Sequence, residues 1–142
     1  MFEPRNDAER TVLAFFGALG AGDFDAARLV MAVDMSWKVM GTGVPGAGEH
    51  IGADAIFTFI GPVRALFEPG SPMITLRSLT SNDRTVVMET HGGGRLKDGR
   101  IYDNQYVMSL DVENGRVVAL REYMDTYYVN GLGLEVSPPD PS

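Results

Sequence analysis

The chain of 142 residues contains no cysteine. Disulfide scaffolding, thiolate metal sites and thiol nucleophiles are therefore excluded. Only two histidines are present, His50 and His91, too few for a histidine-rich zinc or iron centre. Basic residues are also scarce: 12 Lys and Arg stand against 19 Asp and Glu, a net charge of −7. A surface of that sign repels phosphate backbones, so nucleic acid is not the expected partner. No apolar run approaches the roughly 20 residues of a membrane helix. Met1–Arg10 is charged and lacks the apolar core of a signal segment, so no membrane association and a cytoplasmic setting are expected. What remains is ordinary for one globular domain, with 44% hydrophobic and 22% charged residues.

Apolar residues at Val12, Phe15, Phe16 and Leu19 recur at helical spacing and predict a helix over Ala8–Leu19, capped by Asn6 or Asp7. Gly20 and Gly22 end it. A short second helix begins at Asp23, read as its cap, with Phe24, Ala27, Val30 and Met31 on one side. Met35–Met40 reads as a strand, Gly41–Gly52 as a loop, and Ala53 onward as a third helix that Pro62 should break or kink. From Pro72 the period changes to two. Met73–Ser81, Arg84–Gly92, Arg100–Asp111 and Arg116–Asp125 read as four strands. Asn82-Asp83, Asp98-Gly99 and Asn114-Gly115 are the turns between them. The expected class is α+β, with three helices packed on one face of a curved sheet whose core is a four-strand antiparallel meander. Residues 1–132 are expected to form a single domain, and 133–142, with Pro138, Pro139 and Pro141, a flexible tail.

The turns imply a register. A two-residue Asp98-Gly99 turn pairs Lys97 with Arg100 and sets His91 opposite Tyr106 and Glu89 opposite Met108. A three-residue loop, Glu113–Gly115, keeps apolar opposite apolar on the last hairpin and sets Glu122 opposite Tyr106. One row across the sheet would then be His91, Tyr106, Glu122, and the next Glu89, Met108, Leu120. Their backbones would lie about 4.8 Å apart from strand to strand. The glycines at 92–94 are a place where a bulge could shift this register. A carboxylate, an imidazole and a phenol interrupting an apolar face are the parts of general acid–base chemistry. The plainer reading is a satisfied Glu122–His91 pair. Trp37 and Val39 share the pocket-facing parity of the first strand, and Tyr102, Asn104 and Met124 share that of the later ones. Gly41-Thr42-Gly43-Val44-Pro45-Gly46 matches a dinucleotide fingerprint, but no βαβ unit surrounds it, so a pocket rim is expected. His50 reads as an exposed loop residue and Asp125 as structural.

Several segments resemble the SnoaL-like group of the nuclear transport factor 2 (NTF2-like) superfamily, which includes polyketide cyclases, ketosteroid isomerases and limonene-epoxide hydrolases. They are Gly22-Asp23-Phe24-Asp25-Ala26-Ala27, Met35-Ser36-Trp37, Gly99–Tyr106, Asn114–Val118 and Arg121-Glu122-Tyr123-Met124-Asp125-Thr126. The resemblance implies a cone-shaped (cystatin-like) fold with a mixed sheet, an apolar pocket at its open end, and a homodimer formed through the sheet. Carried over from the epoxide hydrolases, the last-strand acid falls on Glu122, the Arg-x-Asp pair on Glu89 and His91, and the first-strand Tyr and Asn on Trp37 and Val39. The cyclases' acidic residue and histidine match Glu122 and His91 more closely. The ketosteroid isomerase base near the first strand has no counterpart on the pocket face of Met35–Met40.

The expected function is a cofactor-independent, metal-free acid–base enzyme, an isomerase, cyclase, lyase or hydrolase, acting on a small apolar oxygenated molecule. The catalytic residues would be Glu122, His91 and Glu89. The substrate-binding residues would be Trp37, Val39, Tyr102, Asn104, Tyr106, Met108, Leu120 and Met124. A non-catalytic hydrophobic-ligand carrier and a dimeric interaction module with a vestigial pocket are the alternatives.

Overall fold

The computed structural model describes residues 2–136. Helix α1 spans Asp7–Gly20 and buries Ala8, Val12, Phe15 and Leu19. Asn6 caps it by accepting from the Glu9 amide at 2.8 Å. Helix α2, Phe24–Leu29, is capped by Asp23 in the same way. It stops at Leu29, and strand β1 runs Met31–Val39, four residues earlier than the apolar alternation indicated. The glycine-rich loop contains a short strand, β2 (Gly48–Ile51), paired antiparallel to β1. Helix α3 spans Ala53–Arg64 and continues through Pro62. The proline falls in the last turn, where it removes only one helical hydrogen bond while Ile56 and Ile60 stay buried.

The meander follows as β3 (Met73–Ser81), β4 (Thr85–Arg95), β5 (Ile101–Glu113) and β6 (Arg116–Met124). A fourth helix absent from the sequence reading, α4 (Thr126–Gly131), is capped by Asp125, whose carboxylate accepts from the Tyr128 amide at 3.0 Å. The six strands form one sheet in the order β2-β1-β6-β5-β4-β3. β1 and β6 are parallel and the other pairs antiparallel, which makes the sheet mixed. The inner face, with Met35, Val86, Leu110, Val117 and Leu120, packs with α1 and α3 into one core. Leu134, beyond the expected domain end, packs against that core. The proline-containing part of the expected tail, 137–142, lies outside the described residues.

Two hairpins depart from the expected register. Between β4 and β5, the Leu96 amide donates to the Arg100 carbonyl across a three-residue loop, Lys97–Gly99, with Gly99 at φ 90°. Met88 therefore faces Met108, Thr90 faces Tyr106, and His91 faces Gln105. A one-residue change in pairing turns a whole strand over. Here it buries Val86, Met88 and Leu96 and sends Glu89 and His91 to the outer face. The glycines cause no slip, since pairing runs on through Gly92, Gly93 and Gly94. Between β5 and β6 the turn is the two-residue Asn114-Gly115, both at positive φ, followed by an irregularity that leaves Val118 unpaired with β5. Glu122 then faces Met108 rather than Tyr106, and Tyr106 faces Met124. The offset is two residues, so Glu122 stays on the inner face.

Candidate functional site

The concave face, α1, α3 and the segment 66–74 enclose a cavity of about 820 Å³. Its wall is mostly apolar, with Phe16, Phe59, Ile60, Leu76, Met88 and Met108 among the lining side chains. Pro45 of the glycine-rich loop and Leu134 also line it, which makes that loop part of the rim. In a shallower cleft between Asn82–Thr85 and Asp111–Glu113, Arg84 pairs with Glu113 and Asp111 with Arg121. The apolar cavity holds most of the residues expected at the site.

Glu122 projects into that cavity from β6. Part of its surface fronts the open space, yet it lies deep in the protein, and lost hydration pushes its pKa up to about 7. The indole N–H of Trp37, on the adjacent β1, lies close enough to offset part of that rise. It makes no hydrogen bond of ordinary length and angle. The Trp37 ring is held by Phe15, Phe16 and Phe59, with centroids 5.4–6.5 Å away.

Tyr102 and Tyr106 line the same cavity from β5 and hydrogen-bond each other through their hydroxyls. Buried Asn104 donates from Nδ2 to the Tyr102 hydroxyl at 3.0 Å. Burial, first, raises both phenol pKa values, and the charge of Glu122 adds to it. Both phenols are therefore neutral donors at any ordinary pH. Gly92 lies under Tyr106: a Cβ there would meet the ring at 3.0 Å, so glycine leaves room for it. Thr90, opposite Tyr106, is buried and its hydroxyl has no hydrogen-bond partner.

Of the expected site residues, the structure brings Glu122, Trp37, Val39, Tyr102, Tyr106, Met108 and Met124 to the cavity wall. Asn104 stands behind the two phenols, and Leu120 is buried in the core without lining the cavity. His91 and Glu89 are corrected. His91 bonds Asp103 at 2.6 Å, and Glu89 accepts from Ser78 at 2.6 Å, both on the outer face with the sheet between them and Glu122. Thr90 and Met88 take the inner positions instead. One signal for this was present in β4 itself. Val86, Met88 and Thr90 carry no charge, whereas the alternate set holds Glu89 and His91. His50 is not a free loop residue: it stacks on Phe59 at 3.9 Å and its Nε2 contacts the Gly46 carbonyl at 2.7 Å. Among the described residues no three His, Cys, Asp or Glu side chains cluster as metal ligands do.

A mixed, curved six-strand sheet closed by helices around a deep cavity is the NTF2-like architecture. The SnoaL-like domain model matches residues 12–120, and the chain belongs to that family. No curated protein matches it. Among solved structures it is similar to an NTF2-like protein from Burkholderia xenovorans LB400, at 25% identity and TM-score 0.76, over 91% of this chain and 96% of that one. It is also similar to an NTF2-like protein from Burkholderia pseudomallei K96243, at 20% identity and TM-score 0.80, over 92% and 99% of the two chains. A third is TerC, co-crystallised with polyporic acid, at 19% identity and TM-score 0.78, over 89% and 98%. The last two identities support the fold alone.

Proposed function

We propose that the protein is a cofactor-independent acid–base enzyme acting on a small, mostly apolar molecule that carries an oxygen function. The observation that carries this reading is a carboxylate, Glu122, standing in an apolar cavity with its pKa pushed up to about 7, beside a pair of neutral phenols. A base titrating near neutral pH removes a proton and returns it with little loss in either direction. The phenols supply the complementary part. Asn104 donates to Tyr102, and the two phenols share one hydrogen bond in which either hydroxyl can donate. When Tyr102 donates, the Tyr106 O–H is left to polarise an oxygen on the substrate. With His91 on the far side of the sheet, Tyr106 takes the role of its electrophilic partner. The step common to isomerases, cyclases and lyases of this kind is proton abstraction next to a polarised carbonyl. A pure carrier of apolar ligands gains nothing from a buried carboxylate, whose desolvation works against the fold.

The test is proton exchange. The protein is incubated in D₂O with a panel of cyclic ketones and 1,3-diketones, and deuterium entering the α position is followed by NMR. Catalysed exchange of at least one compound is expected. Glu122→Gln should lower it about 10²–10⁴-fold while binding changes little. Binding without exchange, unchanged or tightened by Glu122→Gln, would instead identify a carrier.

A further inference from the structure

Trp37 is the only tryptophan of the chain, and the residue is 6% exposed. Its N–H has one donor function and no acceptor function, and it has no hydrogen-bond partner within the protein. Buried donors left unpaired are rare, because water bonded to them in the unfolded chain and nothing replaces it. The ring cannot swing out to find water. Phe59 meets it edge-on at 5.4 Å, Phe16 edge-on at 6.5 Å, and fully buried Phe15 lies at 6.1 Å.

The sheet register shows which acceptor lies within its reach. β1 and β6 run parallel with Trp37 beside Leu120 and Val39 beside Glu122. Trp37 and Glu122 are thus diagonal neighbours on one face, about 7–8 Å apart at the backbone, a span that an indole and a glutamate side chain close together. Both reach the same cavity. We propose that Trp37 is a positioning residue for Glu122: its N–H closes onto one carboxylate oxygen when Glu122 is ionised, and leaves the other oxygen directed at the bound molecule. A donor to the ionised form favours that form. The indole therefore holds the carboxylate nearer neutrality than burial alone would leave it, which agrees with the opposed effects of burial and Trp37 on this group. The other titratable or charged groups around the cavity are Tyr102 and Tyr106 on β5, Arg64 on α3 and Glu68 beyond it. The phenols are neutral, and Arg64 is engaged with the Leu19 carbonyl and the Phe24 ring. This inference rests on Glu122 being the carboxylate of the site, not on any turnover.

The experiment needs no ligand. In ¹⁵N-labelled protein the single tryptophan gives one indole resonance. Between pH 5 and 9 that resonance should move with a midpoint near 7, and in Glu122→Gln the movement should vanish, which also subtracts every other group titrating in this window. In Trp37→Phe, the Glu122 carboxyl, followed by its ¹³C shift, should titrate at higher pH than in the wild type. An indole resonance that stays flat, or that moves equally in Glu122→Gln, overturns the proposal, as does an unchanged carboxyl midpoint in Trp37→Phe. If Trp37→Phe does not fold, the wild-type and Glu122→Gln indole titrations decide alone. A titrating indole in a protein without exchange activity removes the enzyme and keeps this pair. A flat indole in a protein whose exchange depends on Glu122 does the reverse.

Discussion

Glu122 and Glu9 are glutamates displaced in opposite directions, and pH separates them. Burial raises the Glu122 pKa from 4.5 to about 7. The folded state therefore prefers the protonated acid. Its contribution is fully present below pH 4.5 and is lost as pH rises through about 7. A shift of this size is worth at most about 3 kcal/mol, reduced by the screening that an open cavity permits. Glu122→Gln should accordingly raise the melting temperature at pH 8 and change it little at pH 4.5, by calorimetry. An equal gain at both pH values would mean that the charge is not what destabilises the site. Glu9 is the reverse case. Its carboxylate is covered, though close to the surface, by Arg5 and Ser81, which tie the start of α1 to the end of β3. The Arg5 hydrogen bonds, opposed by burial and helped by Ser81, hold its pKa at about 2. That contribution is present above pH 4.5 and disappears as pH falls through about 2. Glu9→Gln should lower the unfolding free energy measured in urea at pH 6, by the order of 1.5–3 kcal/mol expected for hydrogen bonds to a charged group. At pH 2 it should have much less effect.

At the scale of elements, the β4–β5 hairpin decides what the site contains. Its three-residue loop depends on Gly99 at φ 90°, where an added Cβ would meet nothing within 4 Å. Gly99→Ala therefore tests backbone strain without a clash, and should destabilise by about 1 kcal/mol in chemical denaturation. No loss of stability would show that the left-handed residue does not hold this turn. The glycine-rich loop is held by another element: side chains at Gly41 and Gly43 would collide with Thr126 and Asn130 of α4. Asn130 also donates to the Gly43 carbonyl at 3.1 Å. The cavity rim thus depends on a helix that follows β6 and is capped by Asp125.

For the whole molecule, the outer face of the sheet bears Ile101, Val107 and Tyr123 at 64%, 38% and 44% exposure. They stand among Glu89, His91, Asp103 and Arg121 on the same side. We propose that a second copy of the chain covers this face. Light scattering at micromolar concentration should give about twice the 15.4 kDa chain mass. An interface above about 1,000 Å² is expected of a stable pair. A single-chain mass would count against it.

Local sequence determined much of this protein. The spacing of Val12, Phe15 and Leu19 specifies α1, and period-two alternation specifies the meander. Apolar Met108, Leu110 and Leu120 put Glu122 on the inner face whichever of the even offsets is taken. Those signals lie within a few residues of one another, so no long-range partner is needed to read them. The tertiary structure decided what the turns left open. Asp98-Gly99 suits a two- or a three-residue loop equally well, and the choice is made by burying Val86, Met88 and Leu96 together against α1 and Phe67. That burial removes His91 from the site. The parallel pairing of β1 with β6 joins segments far apart in the chain, and no turn encodes it. Glu122 therefore shares its cavity with Trp37 and Tyr106, because burial summed over the whole sheet outweighs the preference of any single turn.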